Sequence, residues 1–325
     1  MPEASHLIGD IGGTNARFAL ADEAAGYRDA EILQCADFES SITAIRHYLE
    51  LIQAPAPDVI CLAAAGPVVD GRVSFTNNHW VLDVAELVGE FGIDEIVLIN
   101  DFEAIAWSIP ALPAEDCLTI GLPAPRSLDG PDFSIAVAGP GTGLGAVGLK
   151  KLGGQLVAIP GEASHSGFAP ENQVQIEILK AMRERFARVS FERLVSGPGI
   201  ENLYWALCLV HGEHRQQLGA AEVFSRAADG SDSRAAEAVQ VFFEILGQFA
   251  GDLALTLNAH DGVFIAGGIA KRYPELLENS RFRNGFESKG RYRAQMERIP
   301  TQLVMHDHPG LLGASFCARQ QLTAS

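Results

Sequence analysis

Short apolar runs and helical patterns alternate through the first third of the chain. Apolar residues recur three and four positions apart at 41–52 and 83–91, which predicts two amphipathic helices. The second helix also has end signals, because Asp83 and Glu86 fit a capping box and Gly92 supplies a stop. The strand-like runs lie at residues 7–9, 16–21, 59–65 and 95–99. This alternation predicts an α/β unit.

New strand patterns after Pro110 and Pro113 predict a second unit that begins near Ala111. Its helical patterns lie at residues 174–186, 202–210 and 233–259, and its strand-like runs at residues 118–120, 133–138, 146–151, 155–159 and 262–266. The last helical pattern has one strongly apolar face, so we expect a core helix there. A glycine pair, Gly267-Gly268, ends the last strand and fits either a tight turn into a helix or a flat surface for a nucleoside.

Each predicted unit has one glycine-rich turn between strand-like runs. The first turn reads Asp10-Ile11-Gly12-Gly13-Thr14-Asn15-Ala16-Arg17, and the second reads Gly139-Pro140-Gly141-Thr142-Gly143-Leu144-Gly145. Glycine lets backbone N–H groups approach a phosphate chain that a Cβ would keep away. Neither turn is followed by the Gly-Lys-Ser/Thr of a P-loop, and neither leads directly into a helix. The pair therefore predicts a nucleotide held between two α/β lobes.

Two motifs suggest other chemistry but lack its context. Residues 143–148 have the spacing of a dinucleotide fingerprint, which requires a helix that opens on the glycines. Short strand-like runs flank Gly153-Gly154 instead, which indicates a β-hairpin, so NAD binding is the weaker interpretation. Residues 306–308 (His-Asp-His) have metal-ligand side chains, but their place before Pro309 favours a loop and a helix start.

An excess of acidic residues limits the classes of partner. The 325-residue chain has 24 Lys and Arg against 41 Asp and Glu, a net charge of −17, which would repel a nucleic-acid backbone or an anionic membrane. Its five cysteines are scattered without a Cys-x-x-Cys pair, so we expect reduced thiols. There is no signal-peptide pattern, and the most apolar stretches, such as 59–69, are short. We expect a cytoplasmic protein without a nucleic-acid or membrane partner.

Two segments supply polar side chains suited to a small-molecule reaction. Asn100-Asp101 follow an apolar strand, and α/β sheets bind ligands at the carboxyl ends of their strands. Asp101 fits a helix N-cap or a general base, and the glycine turns favour the base. The loop with Glu162 and His165 suits a metal or, better, a polyhydroxylated substrate, because these side chains can pair with hydroxyls. Glu192 is a further candidate, with a surface ion pair as the alternative.

Together these motifs resemble the bacterial glucokinase family that is distinct from the ROK sugar kinases. The resemblance covers essentially the whole chain. Besides the two glycine turns, it rests on Thr76-Asn77-Asn78-His79-Trp80, Ile99-Asn100-Asp101-Phe102, Pro160-Gly161-Glu162 with His165, Ser196-Gly197-Pro198-Gly199 and Phe264-Ile265-Ala266-Gly267-Gly268-Ile269. It implies an α/β, two-lobed actin-like (ribonuclease H-like) ATPase fold with a central cleft. It also implies a small domain of residues 1–110, completed by about 301–325, and a large domain of residues 111–300.

The resemblance assigns roles to single residues. Asp101 would be the general base and part of the sugar site. The other sugar-binding residues would be Asn100, Glu162, His165 and Glu192. The nucleotide-binding residues would be Asp10, Gly12, Gly13, Thr14, Asn15, Gly141, Thr142, Gly143, Gly267 and Gly268, with the last two beside the adenosine. Pro140 and Ala163-Ser164 depart from the family pattern, and we expect these departures to change affinity rather than the reaction.

The implied reaction transfers the ATP γ-phosphoryl group to the 6-hydroxyl of glucose and gives glucose 6-phosphate and ADP. No direct protein ligand is expected for Mg²⁺, which Asp10 would hold through water. The expected partners are glucose and MgATP, and the resemblance implies a homodimer. Three alternatives share parts of the pattern. A ROK-family kinase would have a zinc-binding cysteine cluster, a sugar-responsive repressor would need a basic DNA-binding module, and an actin-like or chaperone ATPase would lack the sugar residues.

Overall fold

The chain is divided into two structural units, Met1–Pro113 with His306–Ser325 and Ala114–Met305. This division is seen in a computed structural model that describes residues 5–23, 26–213 and 217–323, with side chains through residue 320. Each unit has its own hydrophobic core and its own main β-sheet. Unit 1 and unit 2 denote these two parts below.

Unit 1 alternates strands and helices around a five-stranded sheet. Its strands are β1 (His6–Ile11), β2 (Asn15–Asp22), β3 (Gly26–Gln34), β4 (Val59–Ala64), β5 (Arg72–Ser74), β6 (Val81–Asp83) and β7 (Ile96–Asn100). Its helices before residue 114 are α1 (Ser41–Leu51), α2 (Val84–Phe91) and α3 (Asp101–Ser108). The main sheet has the order β3-β2-β1-β4-β7. The three strands β1 to β3 are antiparallel, whereas β4 and β7 run parallel to β1.

Unit 2 repeats this arrangement in a larger form. Its strands are β8 (Cys117–Ile120), β9 (Phe133–Pro140), β10 (Leu144–Leu152), β11 (Gln155–Pro160), β12 (Gly262–Ile265) and β13 (Thr301–Val304). Its helices are α4 (Gln173–Met182), α5 (Gly197–Val210), α6 (Ala220–Ala228), α7 (Ser233–Leu257), α8 (Gly268–Arg272), α9 (Pro274–Glu278), α10 (Phe282–Glu287) and α11 (Arg293–Met296). The sheet has the order β11-β10-β9-β12-β13-β8. Strands β9 to β11 are antiparallel, whereas β12 and β13 run parallel to β9. In each unit, a glycine turn therefore connects the first two strands of an antiparallel group of three.

The chain returns to unit 1 at His306, which differs from the return near residue 301 that the family resemblance implied. The apolar run that includes Leu303 forms β13, which pairs with β12 on one side and β8 on the other, inside the unit 2 sheet. A buried strand has no sequence feature that names its sheet, so the run was compatible with either unit. The last helix, α12 (Pro309–Thr323), then packs on the sheet of unit 1 and on α3.

Local end signals explain several helix boundaries. Asp83 caps α2 by accepting the Ala85 N–H at 2.8 Å, and Gly92 ends it with a left-handed φ of 68°. Helix α5 begins at Gly197 rather than at the predicted residue 202, because the Ser196 side chain accepts the Gly199 N–H at 3.0 Å and caps it. The missed strand β3 is a largely exposed edge strand, so it lacks the apolar alternation that predicts strands.

Helix α7 fills the core of unit 2, as the apolar face predicted. It is long and apolar enough to cross a membrane by length and composition, but 78% of its most apolar window is buried inside the protein. Such burial is typical of a core helix. Gly247 on this helix lets the backbone of α10 approach, since a Cβ there would overlap the Phe282 carbonyl oxygen.

Two glycines of α12 permit close packing in unit 1. A Cβ at Gly313 would overlap the Ala104 carbonyl oxygen of α3. A Cβ at Gly310 would lie 2.9 Å from the Asp10 carboxyl carbon at the end of β1. The C-terminal helix therefore rests directly on the two segments that present Asp10 and Asp101.

We expect Gly313→Ala to destabilise the protein by about 2 kcal/mol or more, because the added methyl meets backbone that cannot move aside without shifting a helix. Gly89→Ala is the matched control. Gly89 lies exposed in α2 with no atom near a built Cβ, so alanine there should stabilise by about 0.5–1 kcal/mol. Denaturant unfolding of both variants measures the two effects, and equal stability of Gly313→Ala and the unmodified protein would contradict the close contact.

Candidate active site

The first glycine turn joins β1 to β2, as the sequence predicts. The Gly12 N–H donates to the Asn15 carbonyl at 2.9 Å, and Asn78 Nδ2 donates to the Gly12 carbonyl at 3.2 Å. In the part of the chain that the structure describes, the N–H groups of Gly13 and Thr14 have no acceptor. Hydrogen bonds with Asn15 and Asn78 thus fix the shape of the turn, and the N–H groups of Gly13 and Thr14 remain for an anion.

The second glycine turn joins β9 to β10 in the same way. The Gly141 N–H donates to the Gly143 carbonyl at 2.8 Å, and the Leu144 N–H donates to Glu192 Oε2 at 3.2 Å. Among the described residues, the N–H groups of Thr142 and Gly143 have no acceptor. Strand β10 follows the turn directly, where a dinucleotide fingerprint requires a helix, so the NAD interpretation lacks its structural context.

A cavity of about 560 Å³ lies beside the second turn within unit 2. Its lining residues are Gly141, Thr142, Gly197, Pro198, Glu201, Ala220, Ala221, Phe224, Gly268, Ile269, Arg272 and Tyr273. The volume lies within the range of small-molecule sites. The cavity adjoins a turn with open N–H groups, so it suits a ligand that carries phosphate on a less polar body.

The glycine pair at the start of α8 makes a tight turn and contributes to the cavity wall. Gly267 has a φ of 92°, and a Cβ there would lie 2.6 Å from the Pro140 carbonyl oxygen, so this residue makes the tight turn. Gly268 has open space around a built Cβ and lines the cavity. Pro140, the departure from the family pattern, is the last residue of β9 and precedes the turn itself.

The start of α5 contributes to this cavity and was missed as a functional element. The Gly197 N–H donates to the Gly141 carbonyl at 2.8 Å, which ties the helix start to the second turn. The signal was present, because Ser196 and Pro198 form a cap and a first-turn proline. The aromatic pair in the cavity wall, Phe224 and Tyr273, stacks at 4.7 Å and had no signal in the sequence.

Asn100 and Asp101 occupy the junction of β7 and α3, at the carboxyl end of a strand. Asn100 takes the N-cap position, because its Oδ1 accepts the Phe102 N–H at 2.9 Å and its Nδ2 donates to the Gly66 carbonyl at 3.0 Å. Asp101 is the first helical residue, and its Oδ1 also accepts the Phe102 N–H at 2.9 Å. Burial raises the pKa of Asp101 to about 6, with a smaller increase from the charge of Asp10. A carboxyl group poised near neutral pH suits a general base.

Asp10 is the penultimate residue of β1, in the same unit as Asp101. Its Oδ2 lies 3.7 Å from Arg17 Nη1. Burial raises the pKa of Asp10, whereas the electrostatic interaction with Arg17, and to a smaller extent with His308, opposes that rise. Arg17 therefore offsets part of the cost of burying this carboxylate.

Residues 306–308 lie in the loop before α12. The His308 N–H donates to His306 Nδ1 at 3.0 Å, and the helix begins at Pro309, as the sequence favoured. Within residues 5–23, 26–213 and 217–323, no group of three or more His, Cys, Asp and Glu side chains is placed to hold a metal ion.

The predicted sugar-binding side chains of unit 2 form one cluster. His165 Nε2 lies 3.8 Å from Glu162 Oε2, and His165 Nδ1 lies 3.9 Å from Glu192 Oε1. The side chains of Glu162 and His165 are 70% and 56% exposed, so they remain open to hydroxyl groups. Glu192 contacts the second turn, whereas Arg193 lies over the Phe186 ring at 4.6 Å. This arrangement favours the binding interpretation of Glu192 over the surface ion pair.

One predicted nucleotide residue is engaged elsewhere. Asn15 Oδ1 accepts a hydrogen bond from Gln34 Nε2 at 2.6 Å, which commits this side chain to the pairing of β2 with β3. Its backbone carbonyl closes the first turn. Asn15 therefore contributes to the shape of the turn.

Comparison with known proteins identifies the family. The Glucokinase family model matches residues 7–321. The chain is 41% identical to the glucokinase of Nitrobacter hamburgensis over 311 residues, which cover 95% of this chain and 96% of that relative. The chain belongs to the glucokinase family.

Solved structures agree with this assignment. The glucokinase from an Antarctic psychrotroph is 35% identical, with a TM-score of 0.90 over 98% of this chain and 99% of that one. The glucokinase from Balamuthia mandrillaris, solved in complex with glucose, is 24% identical and has the same fold, with a TM-score of 0.73 over 97% and 94% of the two chains. The resemblance to glucokinases, the mixed α/β sugar-kinase fold and the classification as a kinase enzyme are therefore confirmed.

For this glucokinase-family protein, we expect Asp101→Asn to raise the free energy of unfolding at pH 8. The folded pKa of about 6 lies above the ordinary value of 3.8, so the ionised form destabilises the fold above pH 6. This penalty decreases as the pH falls from 6 towards 3.8, because the folded state takes up the proton first. The gain at pH 8 should be of the order of 2 kcal/mol and should shrink by pH 5.

Asp37→Asn is the matched control, since it removes an exposed acid of unit 1 and should change stability by less than about 0.5 kcal/mol. Denaturant unfolding at both pH values measures the difference. A loss of stability in Asp101→Asn at pH 8 would show that the carboxylate is stabilised rather than strained by its surroundings.

Proposed function

We propose that this enzyme transfers the γ-phosphoryl group of ATP to the 6-hydroxyl of glucose, which yields glucose 6-phosphate and ADP. The observation that supports this most is Asp101, a buried carboxyl group with a raised pKa at the carboxyl end of β7. The chain that contains Asp101 belongs to the glucokinase family, and it also has two glycine turns between strands with N–H groups that have no acceptor among the described residues.

Asp101 is the proposed general base. The 6-hydroxyl oxygen attacks the γ-phosphorus while its proton moves to the Asp101 carboxylate, and the bond from the γ-phosphorus to the bridging oxygen breaks to release ADP. Phosphoryl transfer has a loose transition state, so orientation of the hydroxyl matters more than a strong nucleophile. Asn100 caps α3 at the preceding position and thereby fixes the direction in which Asp101 projects.

The two glycine turns are the proposed phosphate contacts. Their open N–H groups belong to Gly13, Thr14, Thr142 and Gly143. Peptide N–H groups of this kind neutralise charge on phosphate oxygens without adding a mobile cation. The cavity beside Gly268 has a suitable volume for the adenosine part, and its stacked aromatic pair gives it an apolar wall.

The sugar is proposed to bind to Asn100, Asp101, Glu162, His165 and Glu192. Carboxylates accept hydrogen bonds from adjacent hydroxyls, and charge-assisted bonds of this kind are stronger than neutral ones. Glu162 and His165 remain exposed and lie beyond hydrogen-bond distance of each other, so their polar atoms are available to a ligand.

Mg²⁺ would enter with ATP. Asp10 is a single carboxylate beside Arg17, and its proposed contact with Mg²⁺ is through water. Magnesium commonly keeps several waters and uses few carboxylates, and when bound it neutralises phosphate charge. The homodimer implied by the family resemblance and the cytoplasmic location expected from the sequence remain part of this proposal.

The test of the proposed function is a panel of sugars with MgATP, in which ADP release is measured and NMR identifies the phosphorylated carbon. Glucose should be phosphorylated at carbon 6 and preferred over N-acetylglucosamine by a factor that can reach about 10⁴ in kcat/KM, because a bulky 2-substituent leaves polar groups unpaired. Glu162→Gln should reduce glucose use, since it replaces an acceptor oxygen by a donor. A better rate with N-acetylglucosamine or N-acetylmannosamine would overturn the glucose assignment.

The proposed base has its own test. Asp101→Asn should lower kcat by about 10² or more, because the amide cannot accept the hydroxyl proton. In the unmodified enzyme, kcat/KM should fall as the pH drops below about 6, where Asp101 becomes protonated. Binding of a nonhydrolysable ATP analogue to the variant should stay near normal, which controls for misfolding. Full turnover in Asp101→Asn would rule out the assignment.

A further inference from the structure

The Glu192 carboxylate lies between the predicted sugar cluster and the second glycine turn, within unit 2. Its Oε2 accepts the Leu144 N–H at 3.2 Å, at the end of the turn. Its Oε1 lies 3.9 Å from His165 Nδ1, on the side of the sugar cluster. One side chain therefore contacts both regions through different oxygens.

The backbone of Glu192 is fixed at both of its polar groups. Its N–H donates to the Ser164 carbonyl at 3.1 Å, beside His165, and its carbonyl accepts the Ser196 hydroxyl at 2.8 Å. The next residue, Gly197, donates to the Gly141 carbonyl at 2.8 Å. The segment is thus attached to the sugar loop at one end and to the turn at the other, so the carboxylate is its most adjustable part.

Gly143 leaves the room that this contact requires. A Cβ built at Gly143 would lie 2.7 Å from Glu192 Oε2. The atom it meets is the far end of a flexible side chain, so a small residue at 143 displaces the carboxylate and leaves the backbone in place. The turn and the carboxylate are therefore fitted to each other.

We propose that Glu192 couples sugar binding to nucleotide binding. A sugar hydroxyl that donates to Oε1 fixes the carboxylate, and the fixed Oε2 then holds the Leu144 N–H and with it the second turn. A turn already ordered loses less conformational entropy when it binds phosphate, so the first ligand strengthens binding of the second. This inference rests on the proposed function, because it takes Glu192 as a sugar ligand and the second turn as a phosphate site.

The replacement Glu192→Gln separates the two contacts. In the carboxylate these contacts use different oxygens, whereas a glutamine that keeps its oxygen on the Leu144 N–H turns a donor NH₂ group towards the sugar, so it cannot accept at both positions. Coupling is reciprocal in binding free energy, and thus glucose and the nucleotide must change each other's affinity by the same factor. Calorimetry measures this factor directly when AMPPNP with Mg²⁺ is titrated with and without saturating glucose.

We expect glucose to tighten AMPPNP binding about fivefold or more in the unmodified enzyme, and less than about twofold in Glu192→Gln. Gly143→Ala should show the same loss while Glu192 is retained, which gives a second route to the result if one variant folds poorly. Glu162→Gln is the matched control. It should weaken glucose binding yet keep the factor, because Glu162 contacts His165 and not the turn.

The outcomes separate the two proposals. Absence of glucose binding or of glucose phosphorylation in the unmodified enzyme would overturn the proposed function and the coupling with it. Phosphorylation of glucose together with a factor of about one in the unmodified enzyme would overturn only the coupling. The coupling would also be overturned if glucose tightened AMPPNP binding by the same factor in folded Glu192→Gln and Gly143→Ala as in the unmodified enzyme.

Discussion

Backbone packed directly against backbone is the constraint that positions the candidate functional segments within each unit. In unit 2, a Cβ at Gly139 would overlap the Ala266 carbonyl oxygen, and a Cβ at Gly267 would lie 2.6 Å from the Pro140 carbonyl oxygen. These contacts bring the end of β9, which enters the second turn, against the start of α8, which lines the cavity. In unit 1, Gly313 lets α12 rest on α3, the helix that begins at Asp101. Since interiors are close-packed, even one methyl at these positions would move a functional segment.

The burial of Asp10 and Asp101 in unit 1 costs free energy when these carboxyl groups are ionised. Burial raises the pKa of Asp101 and of Asp10, so water is excluded from groups that would be more stable in contact with it. Arg17 offsets part of that cost for Asp10, whereas Asp101 has only hydrogen bonds from its own helix start to oppose its burial. A group held in this way tends to be functional, because desolvation that weakens the fold also makes a carboxylate a better proton acceptor.

Much of this arrangement could be predicted from the sequence, and the exceptions have physical causes. The turns at Gly12 and Gly141, the position of Asp101 and the core helix α7 follow from local residue types and spacing. Strand β3 was missed because an exposed edge strand needs no apolar alternation. The sheet to which Leu303 belongs depends on long-range pairing. The start of α5 at Gly197 was readable from its cap, whereas the contact of Glu192 with Leu144 depends on three-dimensional proximity alone.

The repeated topology makes the difference between the two turns informative. Both lie between the first two strands of an antiparallel meander, yet different side chains hold them. Asn78 supports the first turn with both ends of its amide in use, since Nδ2 donates to the Gly12 carbonyl and Oδ1 accepts the Trp80 N–H at 3.0 Å. Glu192 supports the second with one oxygen and directs the other towards His165, in the predicted sugar cluster. Both polar ends of the Asn78 amide are therefore used within the fold, whereas the Glu192 carboxylate has a second oxygen that can accept a hydrogen bond from a ligand.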